Sequence, residues 1–250
     1  MPGEDQDKSN QPISNLGGVV LCGGKSTRLG IDKSRLDFKG RTFLEQVVAQ
    51  VGQVCSQVVI VGDTDLSFHR LPDDVWLAHD QAINKGPLEG IRVGLERLAQ
   101  VAGQVAGQVA GQGDPQSDQG DFSGCEFAFV TSCDAPLLKP DLIRFLFKQL
   151  GEHQSVVPVQ GERIFGMTAI YRTEHHVEIA NRIEANKLRV SDLAAAFDAR
   201  CIKAESLREA DPDLDSLTNI NSVDDYRSLL ERLGLECPPK LAKAIGLDEA

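Results

Sequence analysis

Gly18-Val19-Val20-Leu21-Cys22-Gly23-Gly24-Lys25-Ser26-Thr27-Arg28-Leu29-Gly30-Ile31-Asp32-Lys33 joins a short β-branched run to a glycine-rich turn that carries three cations. The apolar run Val19 to Leu21 suits an interior strand of a parallel sheet, buried on both faces. Gly23 and Gly24 let backbone N–H groups approach an anion closely, because no Cβ stands in the way. Lys25, Arg28 and Lys33 add positive charge to the same turn. Arginine offers a planar fork to phosphate oxygens, and lysine a mobile point charge. A strand running into such a turn suits binding of a polyphosphate, with nucleotidyl transfer as the leading reading.

Commoner phosphate loops fail on spacing. A Walker A loop places four residues between its glycines and a lysine directly after the second. Here five residues separate Gly24 from Gly30, and Ile31-Asp32 stands before Lys33. The adjacent Gly23-Gly24 pair does not fit a G-x-G-x-x-G fingerprint either.

Away from this loop the chain reads as an open α/β domain. Its 250 residues suffice for one substantial core, and 41% hydrophobic with 25% charged residues is ordinary globular composition. A net charge of −11 argues against broad nucleic-acid binding, so cations must be concentrated locally, as they are in the loop. None of the six cysteines forms a C-x-x-C pair, which leaves zinc and thioredoxin-like sites without support. Cys22 and Cys133 lie in apolar runs and read as small core residues. No apolar stretch of signal-sequence type or membrane-spanning length occurs, and a cytoplasmic, reduced protein without a membrane partner is expected.

Further strands are expected at 57–62, 127–131, 155–158 and 167–171, with a weaker one at 76–79. Helices are expected from Thr42, where Glu45 completes a capping-box pattern, and over 87–100, 141–150, 174–185 and 223–233. The alternation implies an open, mostly parallel Rossmann-like sheet with helices on both faces and chemistry at its carboxyl edge. Residues 1–15 read as a disordered segment, 16–235 as one nucleotidyltransferase domain, and 236–250 as a tail that is either disordered or docked. Val-Ala-Gly-Gln repeats three times across 100–112, and a glycine every fourth residue weakens a helix, so a flexible insertion is expected at about 102–122.

Asp134 follows the strand at 127–131, where a ligand or metal carboxylate of such a sheet belongs. A hard cation such as Mg²⁺ takes one or two carboxylates together with phosphates. A turn with Pro136 is the alternative role for Asp134, and the cationic glycine loop favours the metal. Gly86 and Gly90 permit close approach of a ligand, Pro87 suits a helix start, and Asp80 before them is either a ligand-binding carboxylate or a turn residue. Asn219 and Asn221 can bridge a phosphate, the edge of a heterocycle or a backbone turn, with Ser222 and Asp225 capping the helix that follows. His175 and His176 fall on an expected exposed helix and read as surface residues.

Three blocks carry a resemblance. Gly23-Gly24-Lys25-Ser26-Thr27-Arg28-Leu29-Gly30 with Asp32-Lys33, Asp80 with Gly86-Pro87-Leu88-Glu89-Gly90-Ile91, and Ser132-Cys133-Asp134-Ala135-Pro136 together resemble the molybdenum cofactor guanylyltransferases. Asn219-Ile220-Asn221-Ser222 resembles a fourth segment of the same family, and the likeness spans most of 17–233 outside the insertion. It implies transfer of GMP from GTP to the terminal phosphate of molybdopterin, with release of pyrophosphate. It also implies Asp134 on Mg²⁺, Arg28 and Lys33 on the triphosphate, and a cradle of amides from Leu21, Cys22, Gly23 and Gly24 beside Lys25. Asp80, Gly86, Pro87 and Leu88 would hold the nucleoside, with Asn219 and Asn221 toward substrate. Partner proteins of molybdoenzyme or cofactor-biosynthesis type are a further implication.

The chain departs from the family at Cys22, at Leu29, at Glu89 on the pocket rim, at Val61-Gly62-Asp63 where an Asn is usual, and at Phe165-Gly166 on the acceptor side. Sugar-nucleotide pyrophosphorylases and cofactor cytidylyltransferases share a related loop. A nucleotidyltransferase using CTP or a sugar phosphate, or a non-catalytic nucleotide-binding relative, are the alternatives.

Overall fold

Val19 to Leu21 close strand β1 (Ile13–Leu21), which lies between β4 (Cys55–Val61) and β6 (Phe127–Ser132) in an eight-stranded sheet of the computed structural model. The structure describes residues 11–23, 32–63, 65–79, 86–107 and 124–246, without the side chains of 101–107. β1 pairs in parallel with both neighbours, Val19 standing opposite Val59 and Val130. Leu16, Val20 and Cys22 point to one face of the sheet, and Val19 and Leu21 to the other. A strand flanked on both sides and covered on both faces has no use for a polar alternation, which is why its sequence is continuously apolar.

β5 (Trp76–Ala78) extends the sheet beyond β4, and β9 (Ala169–Arg172) runs antiparallel between β6 and β7 (Ser155–Gln160). β10 (Arg200–Lys203) pairs in parallel with β7 at the edge, and the short β8 (Arg163–Ile164) turns back on β7. On the Val20 face lie α1 (Phe43–Gly52) and α3 (Pro140–Lys148). On the Val19 face lie α2 (Pro87–Gly107), α4 (His176–Glu184) and the short α5 (Leu193–Ala196). This is the open, mostly parallel sheet with helices on both faces that the sequence implies.

α2 sits unusually close to β1, because Gly90 and Gly94 face it. A Cβ on Gly94 would stand 2.4 Å from Val19 Cγ1, and one on Gly90 would stand 3.0 Å from Leu21 Cδ2. Gly90 therefore serves helix-to-sheet packing, which corrects the reading of it as a ligand-approach glycine.

A third, smaller core lies beyond the carboxyl edge. The hairpin β2 (Asp37–Phe38) and β3 (Arg41–Thr42) turns through Lys39 and Gly40, with φ of 55° and 78°. Two successive positive φ values define the turn whose twist matches a hairpin. Phe38 and Phe43 meet Tyr226 of α7 (Val223–Leu233), the Phe43–Tyr226 rings crossing edge to face at 5.8 Å. α8 (Pro239–Ala244) follows α7, and Ile245 enters the same cluster, so the tail docks on the body through residue 246.

Some boundaries and elements differ from the sequence reading. β1 begins at Ile13, inside the segment expected to be disordered, because the Ile13 amide donates to the Val54 carbonyl at 2.7 Å. α2 continues to Gly107, carrying the start of the Val-Ala-Gly-Gln repeat as helix. β10 and the short α6 (Ala204–Leu207) had no counterpart, because a four-residue edge strand with a single buried side chain leaves almost no apolar period to read.

Candidate active site

After β1 the chain moves to β4 and β5 on one side, then returns to β6 on the other. The strand order thus reverses between β1 and β6, and such a reversal opens the crevice in which open α/β sheets bind ligands. The Cys133 amide donates to the Leu21 carbonyl at 2.9 Å, so the two strand ends are tied side by side just below it.

Lys33 and Asp134 meet in this crevice, 101 residues apart in sequence, with Lys33 Nζ 3.3 Å from Asp134 Oδ2. The same ammonium donates to Asn221 Oδ1 at 2.7 Å. Ser132 donates its hydroxyl to the other carboxylate oxygen of Asp134. The side chains of Lys33 and Asp134 are 21% and 13% exposed, which leaves both reachable by a ligand.

Each partner is held locally. Asp32 caps a short 3-10 turn, Lys33–Arg35, by accepting from the Ser34 amide at 2.9 Å. The Ile220 amide donates to the Asp134 carbonyl at 2.8 Å, while the Ile220 side chain is sunk in the third core. Ser222 and Asp225 form a reciprocal capping box on α7, and the Asn221 amide also donates to Asp225 at 2.9 Å. Burial alone would raise the Asp225 carboxyl, yet the Asn221 and Ser222 bonds and the charge of Lys33 hold it below the ordinary carboxylate value.

The phosphate loop is only partly in view. Gly24, Lys25 and Arg28 lie outside the described residues, as does Asp80. Gly23 is exposed at the crevice. The Cys22 amide donates to the Val61 carbonyl at 2.7 Å, so it is engaged in the sheet. An amide cradle can therefore start no earlier than Gly23, a correction for Cys22 and for Leu21, whose residue pairs within the strand ladder. Gly62 explains the close passage here. At φ +148° its missing Cβ would fall 1.6 Å from the Cys22 carbonyl oxygen.

Gly86, at φ +69°, and Pro87 are exposed at the start of α2. The Leu88 side chain is fully buried in the core, so only its backbone can face a ligand. Glu89 does not shape a pocket rim. Its carboxylate is buried and clasped by Arg92 through two bonds of 2.7 and 2.8 Å. His175 is likewise no surface residue. Its ring stacks flat on Phe197 at 3.7 Å, and burial, with Arg172 nearby, pushes its pKa down to about 4.

Ser132 and Asp225 were not singled out for the site by sequence reasoning. Ser132, two residues before Asp134, is the one with a usable signal, since a hydroxyl at that spacing bonds a carboxylate across a turn. Among the described residues no group of three or more His, Cys, Asp or Glu side chains converges as a metal cage. Nor is any described helix long and apolar enough to cross a membrane.

A switch-point crevice with a strand-end carboxylate and a lysine fits a nucleotide-handling α/β protein. The family model of the MobA-like NTP transferase domain matches residues 18–199. The chain belongs to this family and is a nucleotidyltransferase. It is 28% identical over 246 residues to the probable molybdenum cofactor guanylyltransferase of Methanosarcina mazei, covering 92% of this chain and 98% of that one. With the molybdenum cofactor guanylyltransferase of Desulfosudis oleivorans it shares 29% identity, over 83% and 91% of the two chains. Among solved structures, the molybdopterin-guanine dinucleotide biosynthesis protein A of Archaeoglobus fulgidus has the same fold, with a TM-score of 0.66 at 21% identity over 87% and 98% of the chains.

Proposed function

We propose that this chain transfers GMP from GTP to the terminal phosphate of molybdopterin and releases pyrophosphate, acting in the cytoplasm. The observation that carries the reading is the Lys33 ammonium held between Asp134 and Asn221 at the sheet's switch point. Relatives bearing the guanylyltransferase name along nearly their whole length support the choice of substrates.

The reaction is an in-line displacement. A phosphate oxygen of the acceptor forms a bond to the α-phosphorus of GTP, and the bond from that phosphorus to the α–β bridging oxygen breaks. The acceptor is already an anion, so no strong base is required, and positioning with charge neutralisation supplies the acceleration. Lys33, and Arg28 on the glycine loop, take the phosphates. Gly23, Gly24 and Lys25 line them, and Asp80 with the Gly86-Pro87 turn holds the nucleoside. Asn221 orients Lys33, and the Asn219 carbonyl in turn accepts from the Asn221 side-chain amide at 3.4 Å.

The donor chemistry suits Mg²⁺, because Asp134 offers a hard carboxylate with one oxygen fixed by Ser132 and the other facing the Lys33 ammonium at 3.3 Å. When bound, that ion would offset charge on the phosphate oxygens. A single carboxylate leaves the remaining positions to nucleotide and water, as is usual for this ion. Molybdoenzymes or cofactor-building proteins are then the natural recipients of the product.

The test is pyrophosphate release from GTP, CTP, ATP and UTP, with and without Mg²⁺ and molybdopterin. Release from GTP alone, dependent on both additions, is expected, and Asp134→Ala should lower it by about 10²–10³-fold or more. A preference for CTP would reassign the protein to cytidylyl transfer, and full activity in Asp134→Ala would overturn the metal assignment.

A further inference from the structure

The turn that presents Lys33 is held from outside by a side chain that neither the glycine loop nor the carboxylate strand supplies. His69 lies just past a second 3-10 turn, Leu66–Phe68, in the connection between β4 and β5. Its Nδ1 is 2.8 Å from the Thr42 hydroxyl, and its Nε2 is 3.5 Å from the hydroxyl of Ser34, the fully buried neighbour of Lys33. Thr42 is also the cap of α1 and accepts from the Glu45 amide at 3.2 Å. In the neutral ring one nitrogen donates and the other accepts, so the imidazole makes one bond of each kind to the Thr42 and Ser34 hydroxyls. The imidazole is thereby wedged between the helix cap and the lysine turn. The backbone alongside is stitched to the same cap, since the Arg70 amide donates to Glu45.

We propose that His69, in its neutral form, is a positioning residue that fixes Ser34 and so aims Lys33 at Asp134 and Asn221. This rests on the role given to Lys33 in nucleotidyl transfer. A second ring proton makes both nitrogens donors, so whichever hydroxyl donated to the neutral ring must turn its proton away, and a positive charge enters the space between cap and turn. The charged groups around the ring come from every packed element: Glu45 on α1, Asp32 and Arg35 on the lysine turn, and Asp65 at the head of the second turn. Burial outweighs the pull of the three carboxylates and, with Arg35, keeps the imidazole pKa below its ordinary value of 6.5. Protonation of His69 on acidification therefore loosens Lys33, and nucleotide use falls with it.

Two measurements on the full chain test this. The first is the pH profile of kcat/KM for GTP in wild type, His69→Ala and His69→Gln. Gln retains a neutral donor and cannot titrate. The expected result is an acid limb in wild type that is absent in His69→Gln, near-native kcat/KM at pH 7.5 in His69→Gln, and a loss of about tenfold in His69→Ala. A merely structural His69 would lower Tm in the variants and leave the limb in place, which overturns the proposal. The second reads no activity at all. In an NMR titration, the Asn221 side-chain amide should move with the His69 ring signals in wild type and stay still in His69→Gln. Independence of the two signals in wild type overturns the coupling. If no nucleotide is turned over at any pH, the enzyme reading fails, while this titration still decides the role of His69.

Discussion

Gly62 shows how one missing atom shapes the crevice. Its φ of +148° belongs to the region that favours glycine, and the Cys22 carbonyl occupies the space of its absent Cβ. Gly62→Ala should therefore lower unfolding stability in urea by about 3 kcal/mol or more, and the nucleotide-induced rise in Tm should shrink with it. A variant as stable as wild type would mean that the loop after β1 can move aside without cost. In the sequence, Val61-Gly62-Asp63 registers only as a departure from an expected Asn. Its purpose depends on a carbonyl forty residues earlier, and no local pattern reports that. Lys33 and Asp134 are legible in sequence because both stand beside recognisable turns. Their pairing with each other and with Asn221 is a tertiary event across 101 and 188 residues.

At the scale of elements, helix placement separates two glycines that look alike in sequence. Gly94 in α2 faces Val19, with a Cβ position 2.4 Å from Cγ1, whereas Gly52 at the end of α1 faces open space. Gly94→Ala should cost about 1–3 kcal/mol through overpacking, more than the helix propensity it gains. Gly52→Ala should add about 0.5–1 kcal/mol from reduced freedom of the unfolded chain. Urea unfolding of the two variants should give shifts of opposite sign, and equal shifts would contradict the close seating of α2. α1 and α7 were readable at their starts, because Thr42 with Glu45 and Ser222 with Asp225 carry complete capping boxes. Glu89 was not, since its burial depends on Arg92 one turn on and on the surface α2 presents to the body.

For the molecule as a whole, half-buried and buried ionisable groups set the response to acid. His69 and His175 both titrate below the ordinary imidazole value of 6.5 in the folded chain, His175 at about 4. The unfolded chain binds protons first in this range, so stability falls as pH drops from 6.5 toward 4. Against its own burial penalty, Asp211 is held below its ordinary value by Lys139 at 2.6 Å and the Ser216 amide at 2.7 Å. Its contribution is present above the ordinary value of 3.8 and lost as pH falls below it. Tm against pH should thus decline in two stages. His175→Phe, which keeps a ring against Phe197, should flatten the upper stage by an amount on the order of 2 kcal/mol, and an unchanged slope would remove His175 as its source. The fold class and most of the core strands and helices were legible in sequence alone, because apolar period and capping residues are local properties of the chain. Only the tertiary structure decided that β9 runs antiparallel, that the tail docks beside the hairpin, and that His69 braces the lysine turn. Each of these depends on which distant surfaces meet, and burial and hydrogen-bond partners exist only once they have met.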